Sequence, residues 1–260
     1  MKKTFNVQFF YYELMNNVLN GFSMFFGIAF PMILSFIISI QIKSSVPQAM
    51  MKDALTSVAI GFSLIIPLAT GFIGYTANYA TELESHIPDR LHLFGFSQTT
   101  LLVYKILAAL VFLTSGLIVF SIFECFALGI ALPSLKGFLV MIVIYYVFSI
   151  IMIVFAHGIS NLVRKFGLAY AITMVFYFGF MILSGMMGIS VHALPNALQI
   201  VSKMLPTRYF VEERILDLYK GLDYNLAPLL QSLLLWAAIA VLVLWISYYY
   251  HGRKKAESYK

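Results

Sequence analysis

Two groups of residues have the types and spacing that a hydrolytic site could use. His157 and Asn161 follow the order H-x-x-x-N, and Glu212 and Glu213 are adjacent carboxylates. Such side chains serve as acids, bases and orienting groups in many hydrolases. They would form one site only if the fold brought the two groups together, so the elements that carry them decide the matter.

The composition indicates that those elements lie in a membrane. The chain has 260 residues, of which 61% are hydrophobic and 11% charged, and its mean hydropathy is +0.90. Soluble domains carry about 25% charged residues. So few charges could not cover so much apolar surface in water, and we therefore expect lipid to be the solvent.

The distribution of charge predicts about six transmembrane helices. A helix crosses the bilayer core with about 20 apolar residues, and only helices or closed barrels satisfy the backbone in lipid. The alternation of a barrel is missing, so we predict an all-α, polytopic membrane protein that forms a single domain over residues 1–260. The runs without Asp, Glu, Lys or Arg are Leu14 to Ile42, Ala54 to Thr81, Ile106 to Phe123, Gly137 to Val163, Phe166 to Met187 and Leu226 to Tyr250.

The basic residues predict the orientation in the cell membrane. If the N-terminus is cytoplasmic, most of the 17 Lys and Arg residues lie on the inner side, as the positive-inside rule requires. We therefore expect both termini, including a tail at residues 251–260, in the cytoplasm. The net charge of +6 indicates topology and attraction to membrane lipids, with no nucleic-acid partner. Cys125 is the single cysteine, so neither a disulfide framework nor a metal site is expected.

Short amphipathic helices are predicted outside the spans. Residues 3–19 repeat apolar side chains at intervals of three and four, as an interfacial helix does. The outer segment 192–223 does so twice, before and after Pro206, and Gly221 can end the second helix. The two apolar sets are Leu194, Leu198, Val201 and Leu205, then Val211, Ile215, Leu218 and Leu222.

A polar stretch, Thr81 to Lys105, separates the second and third spans. Pro88 suits the first residue of a short helix and Gly95 its end, and Ser97 can cap the third span. On that short helix, Leu91 and Phe94 share an apolar face. The face would lie on the bilayer or dock a soluble partner, with Glu82 and Glu84 as fixed charges at the end of the preceding helix.

These features resemble the permeases of ABC-2-type transporters. The loop 82–97, with its acidic pair, short helix and following Lys105, is similar to the family's coupling-helix region. The stretch LPNALQIVSKMLPTRYFVEERI from Leu194 is similar to the segment before its last span. The chain departs from the usual pattern at Ile87-Pro88 and Gly95-Phe96.

The resemblance implies a permease half that is not itself an enzyme. Two copies, expected as a homodimer, would pair above two separate ABC ATPase subunits. ATP and Mg would bind to those subunits, because this chain has no phosphate-binding loop and is expected to bind no cofactor. The residues implied for ATPase coupling are Glu82, Glu84, Pro88, Arg90, Leu91 and Phe94. Those implied for the exit gate are Leu198, Val201, Leu205, Ile215 and Leu218.

The few intramembrane charges favour export of a hydrophobic or amphiphilic substrate of the drug or antimicrobial-peptide type. Export of a lipid-linked glycan or lipid is the alternative. Glu124 and His157 are the ionisable side chains nearest lipid depth, so each has either a substrate or gating role or a merely structural one.

An intramembrane enzyme is the distant alternative. The His157 and Glu212 motifs resemble those of CAAX-type proteases, but that family has Arg four residues after the acidic pair, where this chain has Asp217. The predicted topology also puts the two motifs on opposite sides of the membrane, so no catalytic residue is expected.

Overall fold

The computed structural model describes residues 6–187, 190–211 and 215–258, and these are helical without strands. The helices are α1 (Val7–Val18), α2 (Gly21–Ser45), α3 (Gln48–Glu84), α4 (Ile87–Leu93), α5 (Gln98–Leu128), α6 (Leu135–Val163), α7 (Phe166–Leu183), α8 (Asn196–Lys203), α9 (Ile215–Lys220) and α10 (Ala227–Ser258).

Six helices are long and apolar enough to cross a membrane: α2, α3, α5, α6, α7 and residues Ala227–Tyr250 of α10. This confirms the predicted all-α polytopic class. Because the spans alternate in direction, α1 and α4 lie at one end of the bundle, termed here the α4 end. Helices α8 and α9 lie at the other, termed the α9 end.

Helix α3 forms the centre of the bundle, since most of its span is buried, whereas most of α2, α7 and α10 faces outward. The core around it is aromatic, with the Phe72 and Phe155 rings stacked at 5.4 Å between centroids. Small residues let helices approach α3 closely, as the sequence predicts for Gly71 and Gly74. A Cβ atom at Gly71 would lie only 2.8 Å from the Ser149 carbonyl oxygen on α6.

Regular α-helical geometry breaks near both prolines for which the sequence predicts kinks. A π-helical turn covers Phe25–Ala29, just before Pro31, and another covers Ala69–Gly74, just after Pro67. A proline removes one backbone donor, and the chain adjusts its hydrogen bonds around it. The two π-turns meet, because a Cβ atom at Gly27 would lie 2.8 Å from Thr70 Cγ2.

The predicted short helices form with shifted bounds. The interfacial helix is described from Val7, and residues 3–5 of that prediction lie outside the described residues. The outer segment forms α8, a 3₁₀ turn at Pro206–Phe210 and α9, followed by Gly221 at φ +83°. Glu212 and Glu213 lie outside the described residues. The helix of the last span continues through the first part of the predicted tail, to Ser258.

Candidate functional site

A buried ion cluster joins three helices at the α4 end. The Lys105 ammonium on α5 donates to both Glu13 carboxylate oxygens on α1, at 3.0 and 2.8 Å, and to Glu82 on α3 at 2.7 Å. All three side chains are buried. The three N–H donors of a lysine are thereby used, so the ion cluster of Glu13, Glu82 and Lys105 is compact and internally bonded.

Two carboxylates facing one ammonium leave an excess of negative charge in a dry site. Burial raises the pKa of the Glu13 carboxyl, the Lys105 ammonium opposes that rise, and the nearby Glu82 carboxylate adds to it. Losing one partner of a buried pair costs about 3–5 kcal/mol, because the remaining charge is stranded. Lys105 therefore fixes the positions of α1 and α3 relative to α5.

An aromatic and polar layer extends the ion cluster to two more helices. Lys105 Nζ lies 5.7 Å from the centroid of the Tyr79 ring, and that ring stacks on His157 of α6 at 4.3 Å. His157 Nδ1 lies 2.7 Å from the Tyr75 hydroxyl, and its Nε2 lies 3.2 Å from the Tyr248 hydroxyl on α10. The His157 contacts therefore connect α3, α6 and α10 within the same layer.

Helix α4 lies directly beside this layer. It begins after His86, a left-handed residue at φ 55°, has Pro88 in its first turn, and is followed by Gly95 at φ 83°. Ser97 caps α5 by accepting from the Thr100 amide, as predicted. Arg90 donates to the Ser85 carbonyl oxygen at 2.9 Å, which holds α4 against the end of α3.

The outward face of α4 differs from the predicted one. Leu91 is partly buried against the chain itself, in a cluster around Phe9, Leu101 and Tyr104, and its role in docking a partner stays a prediction. The exposed apolar side chains are Leu93 at 87% and Phe94 at 76%. Leu91 is covered because α1 packs against that side of α4, a contact that the sequence did not predict.

The two acids at the end of α3, Glu82 and Glu84, have different partners. Glu82 belongs to the ion cluster. Glu84 is exposed, and its carboxylate accepts the Phe166 amide at the start of α7 at 3.1 Å. The end of α3 is therefore tied to α5 by one acid and to α7 by the other.

A pocket of about 380 Å³ opens beside the ion cluster, between α1, α2, α3 and α7. Amides line it: Asn20 donates to Asn78 Oδ1 at 2.5 Å, and Asn78 donates to the Asn16 carbonyl oxygen at 3.2 Å. Glu82 also contributes to the wall. These asparagines hold the α1–α2 junction against α3.

At the α9 end, the predicted exit-gate residues separate into two sets. Leu205, Ile215 and Leu218 belong to the core, whereas Leu198 and Val201 on α8 are exposed. The apolar side chains of α8 are therefore not part of the protein core, and the role of this segment at the exit stays a prediction. Ser202 is buried instead, and Arg208 donates to its hydroxyl at 3.3 Å.

Polar contacts fix α9 against neighbouring loops. Lys220 pairs with Asp53 of α3 at 2.9 Å, and Lys136 of α6 pairs with Asp223 at 3.3 Å. The Tyr219 hydroxyl donates to the Ala131 carbonyl oxygen at 2.6 Å. Burial raises the pKa of Tyr219 to about 12, so this donor keeps its proton at physiological pH.

The two candidate intramembrane ionisable residues are both buried. His157 belongs to the layer at the α4 end, and Glu124 lies one turn before the end of α5, near the α9 end, at 4% exposure. Glu124 is shielded because α2 covers it, with the Ser35 hydroxyl facing the carboxylate.

The described residues of the two hydrolytic motifs, and those that flank the undescribed acids, lie at opposite ends of the bundle. His157 and Asn161 lie towards the α4 end, whereas Val211 and Ile215, which flank the undescribed acids, pack at the α9 end. Among the described residues no group of three His, Cys, Asp or Glu side chains could hold a metal ion.

The sequence alone did not identify Glu13 and Lys105 as ion-pair partners. The available signals were a lysine two turns inside an otherwise apolar helix and an acid in the amphipathic helix. A charge at such a position needs a counter-charge, but the sequence offers Glu13, Glu82, Glu84 and Asp89 at the same end of the spans, and only the docking of α1 selects Glu13.

A six-span helical bundle with a short helix after its second span is a polytopic membrane protein. The sequence model of the family described as ABC-2 family transporter protein matches residues 43–249. The chain therefore belongs to the ABC-2 transporter family, and it is a membrane-spanning permease subunit that works with an ABC ATPase. A comparison with curated proteins finds no match.

Proposed function

We propose that this permease exports a hydrophobic or amphiphilic molecule, of the drug or antimicrobial-peptide type, out of the cell. It works as a homodimer with two ATPase subunits bound at the cytoplasmic α4 end. One observation carries the proposal. Leu93 and Phe94 at the end of α4 are apolar and exposed, and the buried ion cluster lies in the helices on either side of α4.

The ion cluster makes α4 a coupling element. Helix α4 connects the end of α3, where Glu82 lies, to the start of α5, where Lys105 lies two turns in. Glu82 and Lys105 are ion-paired. A force on α4 therefore moves the ends of α3 and α5 together, and Glu13 carries α1 with them. Through Tyr79 and His157 the same displacement reaches α6 and α10.

The apolar spans support the choice of substrate. Their outward surfaces are rich in large apolar side chains, such as Ile37 and Ile40 of α2 and Val175 of α7. A path between such helices has little with which to bind a hydrated ion. A hydrophobic or amphiphilic molecule can enter it directly from the bilayer.

Co-expression with the cognate ATPase tests the docking role. We expect the wild-type chain to copurify with the ATPase and the double variant Leu93→Asp, Phe94→Asp to lose it, since a buried apolar anchor contributes about 2 kcal/mol or more to an interface. Leu132→Asp is the matched control, because Leu132 is 73% exposed but lies at the α9 end. Retention of the ATPase by the double variant would overturn the docking role.

The same purified complex distinguishes the substrate classes. In nanodiscs, we expect hydrophobic or amphiphilic drugs to stimulate ATP hydrolysis. Stimulation by a lipid-linked glycan alone would replace drug or peptide export by glycolipid export.

A further inference from the structure

Glu124 is a buried carboxylate that the proposed coupling does not use. It lies on the buried face of α5 together with Phe120 and Leu128. The Ser35 hydroxyl of α2 faces it without the geometry of a hydrogen bond. Both Glu124 oxygens are thus buried without a hydrogen-bond partner among the described residues.

The described part of the chain supplies no cation to this carboxylate. Lys43 and Lys52 line a pocket of about 280 Å³ beyond it, which also includes Leu128, one turn after Glu124. Neither lysine forms an ion pair with Glu124 in the described structure, and both are exposed. A buried carboxylate without a cation among the described residues must either be protonated or meet a cation from elsewhere.

The polar groups beside Glu124 and one turn further along α2 suit an organic cation better than a metal ion. The hydroxyls of Ser35 and Ser39, one turn apart on α2, are buried, and neither has a hydrogen-bond partner among the described residues. One carboxylate and two hydroxyls are too few for calcium, which takes about 6–8 oxygens. They match the donors of an ammonium or guanidinium group, which forms charge-assisted hydrogen bonds to carboxylates.

The surroundings match the apolar part of such a molecule. The Phe36 and Phe123 rings pack edge to face at 6.5 Å beside this level of α2 and α5. Helix α2 also exposes Ile33, Ile37 and Ile40. An amphiphile dissolved in the bilayer therefore meets apolar side chains next to a carboxylate that has no counter-charge among the described residues.

We propose that Glu124, with Ser35 and Ser39, binds the amine or guanidinium group of a cationic amphiphile during export. This assignment rests on the proposed export function and narrows its substrate class to cations. Lys43 and Lys52 lie one turn further towards the α9 end, so their charges repel a cation that has left Glu124 and favour its release.

Direct binding tests the assignment without the ATPase. The full-length chain in nanodiscs of zwitterionic lipid is titrated with a fluorescent dodecyl amine and with its neutral acetamide, and binding to empty nanodiscs is subtracted. We expect the amine to bind the wild-type chain at least tenfold more tightly than the amide. Glu124→Gln should weaken amine binding about tenfold, which is about 1.4 kcal/mol, and leave amide binding unchanged.

Two further variants keep the result interpretable. Ser35→Ala should reduce the preference for the amine, and Asp53→Asn, which removes an exposed acid at the same end, should not change it. Equal binding of amine and amide to the wild-type chain, or an undiminished preference in Glu124→Gln, overturns the assignment. Because this assay contains no ATPase, its failure is distinct from a failure of the copurification test.

Discussion

At the scale of residues, the permease holds its charges inside rather than only at its surfaces. Lys105 uses all its donors on Glu13 and Glu82, and His157 lies between two tyrosine hydroxyls. A buried ion pair adds little net stability to a fold, but removing one partner is strongly destabilising. The ion cluster therefore specifies which helix ends stay together.

Replacing Lys105 tests this interpretation. Lys105→Met strands two buried carboxylates, so we expect thermal unfolding in nanodiscs at a clearly lower temperature, with a loss of about 3–5 kcal/mol in stability. Glu13→Gln should cost less, because burial already raises the pKa of Glu13 and Lys105 keeps Glu82. Lys136→Met is the control, since that lysine is exposed and its ion pair lies at the surface. Equal effects of Lys105→Met and Lys136→Met would contradict the role of the ion cluster.

At the scale of elements, the bundle depends on close crossings at glycines. Helices α6 and α10 meet at Gly158, where a Cβ atom would lie 2.9 Å from both the Leu244 amide nitrogen and Val243 Cγ1. Backbone atoms cannot move aside as the end of a side chain can, so this crossing tolerates no added atom. The same crossing joins His157 to Tyr248, next to the proposed coupling layer.

Replacing Gly158 by alanine adds one methyl group and tests how closely α6 and α10 must pack. Gly158→Ala should destabilise the fold by about 1–3 kcal/mol, as overpacking does. Gly179→Ala should be neutral or slightly stabilising, because nothing lies within 4 Å of the added Cβ atom and alanine favours helices over glycine. Thermal unfolding of both variants in the same lipid measures the two changes in stability. A neutral Gly158→Ala would show that α6 and α10 can separate without cost.

At the scale of the whole molecule, α8 has an apolar surface that the described residues do not cover. Leu198, Ile200, Val201 and Met204 are all exposed there, although their spacing is that of an apolar face. We expect the proposed second copy, or lipid, to cover it. Which side of the membrane this face occupies follows from the predicted orientation, and that orientation can be measured.

Single cysteines in a Cys125→Ser background measure the orientation. We expect Asn196→Cys on α8 to react with a membrane-impermeant thiol reagent added to intact cells, and His92→Cys on α4 to react only after the cells are opened. Both positions are exposed in the structure. The reverse pattern would invert the topology and remove the basis for ATPase docking at α4.

The sequence by itself determined the class of protein and the order of its elements. Six apolar runs suffice to predict six spans, because lipid requires about 20 apolar residues for each crossing. Pro88, Gly95 and Ser97 bound and cap their helices as expected, because these preferences act within a few residues of chain. The family resemblance also came from motifs in order along the chain, which the match over residues 43–249 confirms.

Only the tertiary structure decided which side chains meet. The sequence could not assign Glu13 to Lys105, turn Leu91 inward or cover Glu124 with α2, because each depends on docking between helices distant along the chain. In a soluble protein a polar face marks the solvent side of a helix. Here α1 buries Glu13 and Asn17, because the buried Lys105 needs a counter-charge and Glu13 supplies one.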